Sequence, residues 1–139
     1  MPARFEILPD LALVVVRYEG HATIQEGFDA FEAYMTHPDR NPQHRHLVDL
    51  GGISGFDADF AGLFRLQAHK ASGLTMTEPS VMIVYHTPTM VSQRLAQQVL
   101  RSWEGLPGAI IRIAQDWDGA MDILGLRRDA VAPPIYRDA

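Results

Sequence analysis

Cysteine is missing from this sequence altogether. That removes disulfides, thiolate nucleophiles and cysteine-ligated zinc from consideration. Long apolar runs are missing too, and none approaches the ~20 residues that span a bilayer. The opening MPARFEILPD lacks the charged-then-apolar plan of a signal peptide. Basic clusters are scarce: the longest is Arg127-Arg128, and the net charge is -5, which argues against a nucleic-acid surface. Together these absences read as a soluble, cytoplasmic protein with no nucleic-acid partner and no membrane span.

What is present is a 47% hydrophobic content in 139 residues, enough for a core in a chain of single-domain length. Two strand-like runs over 4–8 and 11–18 are split by Pro9-Asp10, which is turn chemistry. The consecutive Val14, Val15 and Val16 suit a pleated surface buried on both faces. These runs predict a hairpin. Thr23 and Glu26 then have the spacing of a capping box. Ile24, Phe28, Phe31 and Met35 follow as one apolar helical stripe, and the helix ends near Thr36, because His37 precedes Pro38 and is pushed from helical angles.

A third strand over 45–50 stops at Gly51-Gly52, residues 53–56 read as a loop, and Asp57 opens a second helix running to about residue 72. Phe60, Leu63, Phe64, Ala68 and Ala71 make its buried side. A loop over 75–79, a strand over 81–85 and a third helix come next. Thr87 caps that helix, with Pro88 at its first position, where the missing N–H costs nothing. A strand over 109–114 and a last helix capped by Asp116 complete the order. Alternation after the hairpin implies parallel strands joined by right-handed crossovers. The expected fold is α/β: one mixed five-stranded sheet with an N-terminal hairpin, strands two to five parallel, and about four helices. It occupies 1–126, followed by a charged, proline-bearing tail over 127–139, expected to lie loose.

Parallel topology collects connecting loops at the carboxyl edge of the sheet. His21, Ser54, Phe56, Asp57, Asp59, His86 and Thr87 gather there and form the candidate binding edge. Ser54 with His86 or His21 has the residue types of a nucleophile and its base. The Gly-x-Ser-x-Gly elbow is missing, however. Every member also has an ordinary role as a cap, a turn residue or a solvated loop imidazole, so no catalytic residue is assigned. Phe56 is read as a partly exposed recognition residue beside Ser54 and His86, because its staple partner in the following helix, Ala61, is too small to hold a ring. His44 and His46 share a strand face at metal-pair spacing. Asp49 points to the other face and no third ligand appears, so they read as a solvated strand start. Gly51-Gly52 lacks the remainder of a phosphate loop, and Asp57 and Asp59 would repel an anion from the second helix. No cofactor and no metal is expected.

Three stretches carry a resemblance: Leu47-Val48-Asp49-Leu50, Ile53-Ser54-Gly55-Phe56-Asp57, and the closing RIAQDWDGAMDIL from Arg112. The chain resembles the STAS domain of bacterial anti-sigma-factor antagonists and sulfate-transporter tails. It is most similar to an antagonist-like branch also compared with CRAL-TRIO lipid-binding domains. The resemblance spans roughly residues 5–126 and implies a non-catalytic, regulatory protein-binding module. In the antagonists an Asp opens the second helix and a phosphorylatable serine follows. Asp57 matches that Asp, but the next residue is Ala58, so the usual serine is missing.

Three functions follow. The first is a STAS-like module that docks a protein or small ligand at the edge between strand three and helix two. The second is a carrier of a small apolar or lipid-like ligand, with Phe28, Phe60, Phe64, Met90 and Trp103 near its helical layers. The third is a Ser/His hydrolase. A homodimer is compatible with each.

Overall fold

The computed structural model describes residues 3–74 and 80–134. The loop expected over 75–79 and the end of the tail lie outside them. The element order is β1 (Arg4–Leu8), a 3-10 turn (Pro9–Leu11), β2 (Leu13–Ala22), α1 (Ile24–Met35), β3 (Arg45–Phe56), α2 (Phe60–Leu74), β4 (Val81–His86), α3 (Met90–Trp103), β5 (Ala109–Ala114) and α4 (Trp117–Leu124). The five strands form one sheet in the order β1-β2-β3-β4-β5. β1 is antiparallel to β2 and the other neighbours are parallel. This is the mixed α/β sheet with four helices that the element order predicts.

Strand residues alternate between two cores, as the two-residue period requires. Val48, Leu50, Ile83 and Tyr85 face α1, α2 and α3. Leu13, Val15, Leu47 and Val84 face α4. Three consecutive right-handed crossovers between adjacent strands put three helices on one face, and α4, reached from the last strand, covers the other. The tail does not lie loose along its described part. Val131 is buried in the α4 core, and its carbonyl accepts the Trp117 indole N–H at 2.9 Å. Arg45 closes the same layer, donating to the carbonyls of Leu11 and Leu124.

The main departure from expectation is β3. It does not stop at Leu50: residues 51–56 stay in the strand, paired to β2 as far as Ala22↔Phe56. β4 ends opposite Asp49, at His86. Beyond that point β2 and β3 continue as a two-stranded ribbon. The register slips twice, between Arg17↔Asp49 and Glu19↔Gly52 and between Gly20↔Ile53 and His21↔Gly55. Each slip gives β3 one extra residue, as a β-bulge does. Glycines at 51, 52 and 55 therefore serve a bulged strand where the sequence suggests a loop.

Two helix starts also move. α2 begins at Phe60, with Asp59 Oδ1 accepting the Gly62 N–H at 2.9 Å, so Asp59 and not Asp57 is its cap. A Cβ at Gly62 would lie 2.3 Å from Asp59 Oδ2, and glycine there lets the carboxylate close over the turn. α3 is capped by Thr89 in a reciprocal box with Ser92, displacing the expected Thr87 and Pro88. Thr87 is instead fully buried, and its N–H donates to the Ala114 carbonyl at 2.8 Å.

Candidate functional site

The end of the β2–β3 ribbon is fastened to the start of α1. Thr23 Oγ1 accepts the Glu26 N–H at 3.1 Å and donates to Glu26 Oε1 at 3.1 Å. Ile24, the first residue of α1, has an N–H with no partner inside its own helix. Asp57 supplies one: Oδ2 accepts that N–H at 3.1 Å, while Oδ1 lies 3.0 Å from His21 Nε2. The bond from His21, then that from Ile24, holds the Asp57 carboxyl below the usual carboxylate range. The residue expected to open α2 therefore closes the amino end of α1.

Beneath this corner an apolar slot lies between the sheet and the three helices. Val48, Leu50, Leu63, Leu66, Leu95 and Val99 line it, and Thr23, Ile24, Phe56 and Asp57 form its partly exposed rim. The cavity measures about 50 Å³, and an adjoining lobe of about 30 Å³ lies toward Phe31, Tyr34 and His46. Tyr18 and Lys70 border both lobes. A Cβ at Gly27 would meet Leu66 Cδ2 at 2.5 Å, so glycine lets α1 pack close to α2 over this space.

Polar groups on the slot wall are unusual in what they lack. Gln67 is 1% exposed and Tyr85 3%, yet Gln67 Oε1 has no hydrogen-bond partner among the described residues, and the Tyr85 hydroxyl has none beyond the neighbouring Trp103 indole, whose N–H can only donate and so leaves the Tyr85 proton without an acceptor. Burial pushes the Tyr85 hydroxyl up to about 12, offset in part by the hydrogen bond that the Trp103 indole N–H donates toward its oxygen. Tyr18 is driven higher still, by burial first and then by Tyr85 and Glu26. Burial pushes the Lys70 amine down to about 8.

A second polar cluster sits on the opposite face of the sheet. His86 Nδ1 lies 2.9 Å from Asp49 Oδ1, Arg17 Nη1 donates to Asp49 Oδ2 at 3.4 Å, and the Gly51 N–H donates to Oδ1 at 3.0 Å. Trp117 packs its ring edge-on to His86 with centroids 5.1 Å apart, and Arg17 stands 5.9 Å from the same indole.

The candidate edge thus divides. His21, Phe56 and Asp57 meet at the slot rim. Asp59 is a helix cap. Ser54 is exposed on the second bulge and makes no side-chain bond to an imidazole. His86 is buried beside Asp49, five positions back along β3 from Ser54 and so roughly 15 Å away at the rise of a strand. The Ser54–His86 pair does not form. His44 and His46 do not lie in solvent either. Both are buried, with Tyr34 Oη 3.0 Å from His44 Nδ1 and its ring centroid 5.2 Å from that of His46. Burial, then Lys70, His44 and Arg40, lowers His46 to about 3, so it is a neutral core residue. Of the side chains expected near a ligand, Phe60, Phe64 and Met90 are exposed and none of the five lines the slot.

Sequence reasoning missed Tyr18, Gln67, Lys70 and Tyr85 at the slot, and Arg17 and Asp49 opposite. A signal existed: Gln67 and Lys70 sit at helical spacing on the same stripe as Leu63, Leu66, Ala71 and Leu74, where apolar residues belong. Among the described residues no three His, Asp or Glu side chains group to hold a metal ion, and no helix is long and apolar enough to cross a membrane. Compared with known proteins, the chain matches no family model and no curated sequence.

Proposed function

We propose that this chain is a non-catalytic binding module of the STAS-like type, and that what it binds meets it at the corner of β3, α1 and α2. The observation that carries this is the apolar slot opening at that corner, rimmed by Phe56. The polar groups around the rim are engaged in holding structure, through His21–Asp57–Ile24 and Asp59–Gly62, and are not arranged about a nucleophile. With Ala58 where the antagonists carry serine, the binding is constitutive at that position. The slot also favours the second reading, a carrier of a small apolar ligand, and its size restricts the cargo to a few carbons or a single ring. Native mass spectrometry of the protein isolated from its own cells tests the proposal. A retained ligand or protein that is lost in a folded Phe56→Ala variant supports it. A chain that comes away bare, or a companion retained regardless of Phe56, overturns it.

A further inference from the structure

Resting on that reading, we infer that the slot takes a small uncharged molecule with an apolar body and one hydroxyl group, held between Gln67 and Tyr85. A buried carbonyl oxygen without a donor and a buried hydroxyl proton without an acceptor each leave a desolvation cost unrecovered, so a native chain carrying both in one cavity calls for an occupant. Gln67 Oε1 can only accept a hydrogen bond, whereas the Tyr85 hydroxyl can donate one. A ligand hydroxyl donates to the first and accepts from the second. A hydrocarbon satisfies neither. An anion has no proton for Gln67, and a cation meets the amine of Lys70 on the slot wall. Water satisfies the two polar atoms, but most of the lining, including Val48, Leu50, Leu63, Leu95 and Val99, offers it no bonds, and a well-held buried water makes about three. An apolar body fills that part of the space. A cavity of about 50 Å³ is several times the ~10–15 Å³ that one water requires on the same measure, which limits the body to one ring or its equivalent.

The test is a two-dimensional NMR titration of the full chain with phenol and with toluene, which has the same shape without the hydroxyl. Saturable phenol shifts are expected at the methyls of Leu63, Leu95 and Val99, with toluene binding about tenfold more weakly, the worth of one good hydrogen bond. Gln67→Leu and Tyr85→Phe, which remove the polar atoms with little change of volume, are expected to reverse the preference toward toluene. No saturable shift, shifts confined to other parts of the molecule, or toluene binding as tightly as phenol to the unaltered chain overturns the inference. If phenol fails while native mass spectrometry finds a Phe56-dependent companion, this inference falls and the docking proposal stands. If phenol binds as expected and the chain comes bare from its cells, only the docking proposal falls.

Discussion

The two faces of the sheet both bury polar side chains, and they treat them in opposite ways. On the α4 face, Asp49 is 1% exposed and is bonded by a cation, an imidazole and a backbone N–H. On the three-helix face, Gln67 is equally buried and its carbonyl oxygen is bonded by nothing described. A satisfied polar network rigidifies a core, whereas an unsatisfied group is a standing cost. The first arrangement is what a structural clamp needs, at the place where β4 ends and the β2–β3 ribbon continues alone. The second is what the proposed ligand site needs before it is filled. Burial alone does not separate the two roles; the state of the hydrogen bonds does.

The comparison breaks most visibly at Asp49. In Asp49→Ala the buried His86 and the Arg17 guanidinium lose their shared carboxylate. Removing one member of a buried charged pair costs about 3–5 kcal/mol. A large fall in the urea midpoint is expected, with the slope unchanged. A loss under about 1 kcal/mol would show that the cluster does not hold the ribbon.

Acid distinguishes the faces next. His46, on the three-helix face, is held neutral with its folded pKa near 3, below the ~6.5 of an unfolded histidine. The unfolded chain therefore takes up a proton first. The stability this neutral ring confers is present above about pH 6.5 and is lost as pH falls toward 3, by about 2 kcal/mol at pH 5. His44 is lowered in the same direction by burial and Arg40 and adds to the acid limb. Urea midpoints from pH 7 to 5 are expected to fall in the unaltered chain and to fall less steeply in His46→Leu. An unchanged slope in the variant would place the acid sensitivity elsewhere.

Gln67→Leu reverses the sign seen at Asp49. Replacing an unpaired buried amide by an apolar group of similar size removes its desolvation cost, so the free protein gains about 1 kcal/mol. A drop in melting temperature instead would mean that the amide is bonded in solution and that the two faces are alike.

Much of this architecture was legible in the sequence. The hairpin, the alternation of strands and helices, and the caps Thr23 and Asp116 all rest on local chemistry, and the structure keeps them. The misreadings have one cause, which is that local signals do not report partners distant in sequence. Residues 51–56 carry the glycines of a loop, and only pairing with β2 makes them a strand. Asp57 precedes an apolar run as a cap would, but its oxygens go to His21 and Ile24, more than 30 residues back. The slot was illegible for the same reason, since Tyr18, Gln67 and Tyr85 come from three elements.

The smallest expected effect concerns the outer side of α2. Leu63 and Phe64 are neighbours in sequence, and apolar spacing alone admits both to the core. The structure chooses: Leu63 is 6% exposed, whereas Phe60 and Phe64 are 45% and 43% exposed. The stripe through Leu63, Leu66, Ala71 and Leu74 faces the sheet, and a residue one step away, about 100° around a helix of 3.6 residues per turn, turns outward. Substitution separates the two stripes. Leu63→Ala removes a buried side chain at the slot and is expected to cost about 2–5 kcal/mol. Phe60→Ala and Phe64→Ala remove larger side chains from the surface and are each expected to stay within about 0.5 kcal/mol of the unaltered chain. Urea unfolding of the three variants measures this directly. A loss of 2 kcal/mol or more in either phenylalanine variant would mean that these rings are covered, and would turn α2 so that Gln67 no longer reaches the slot.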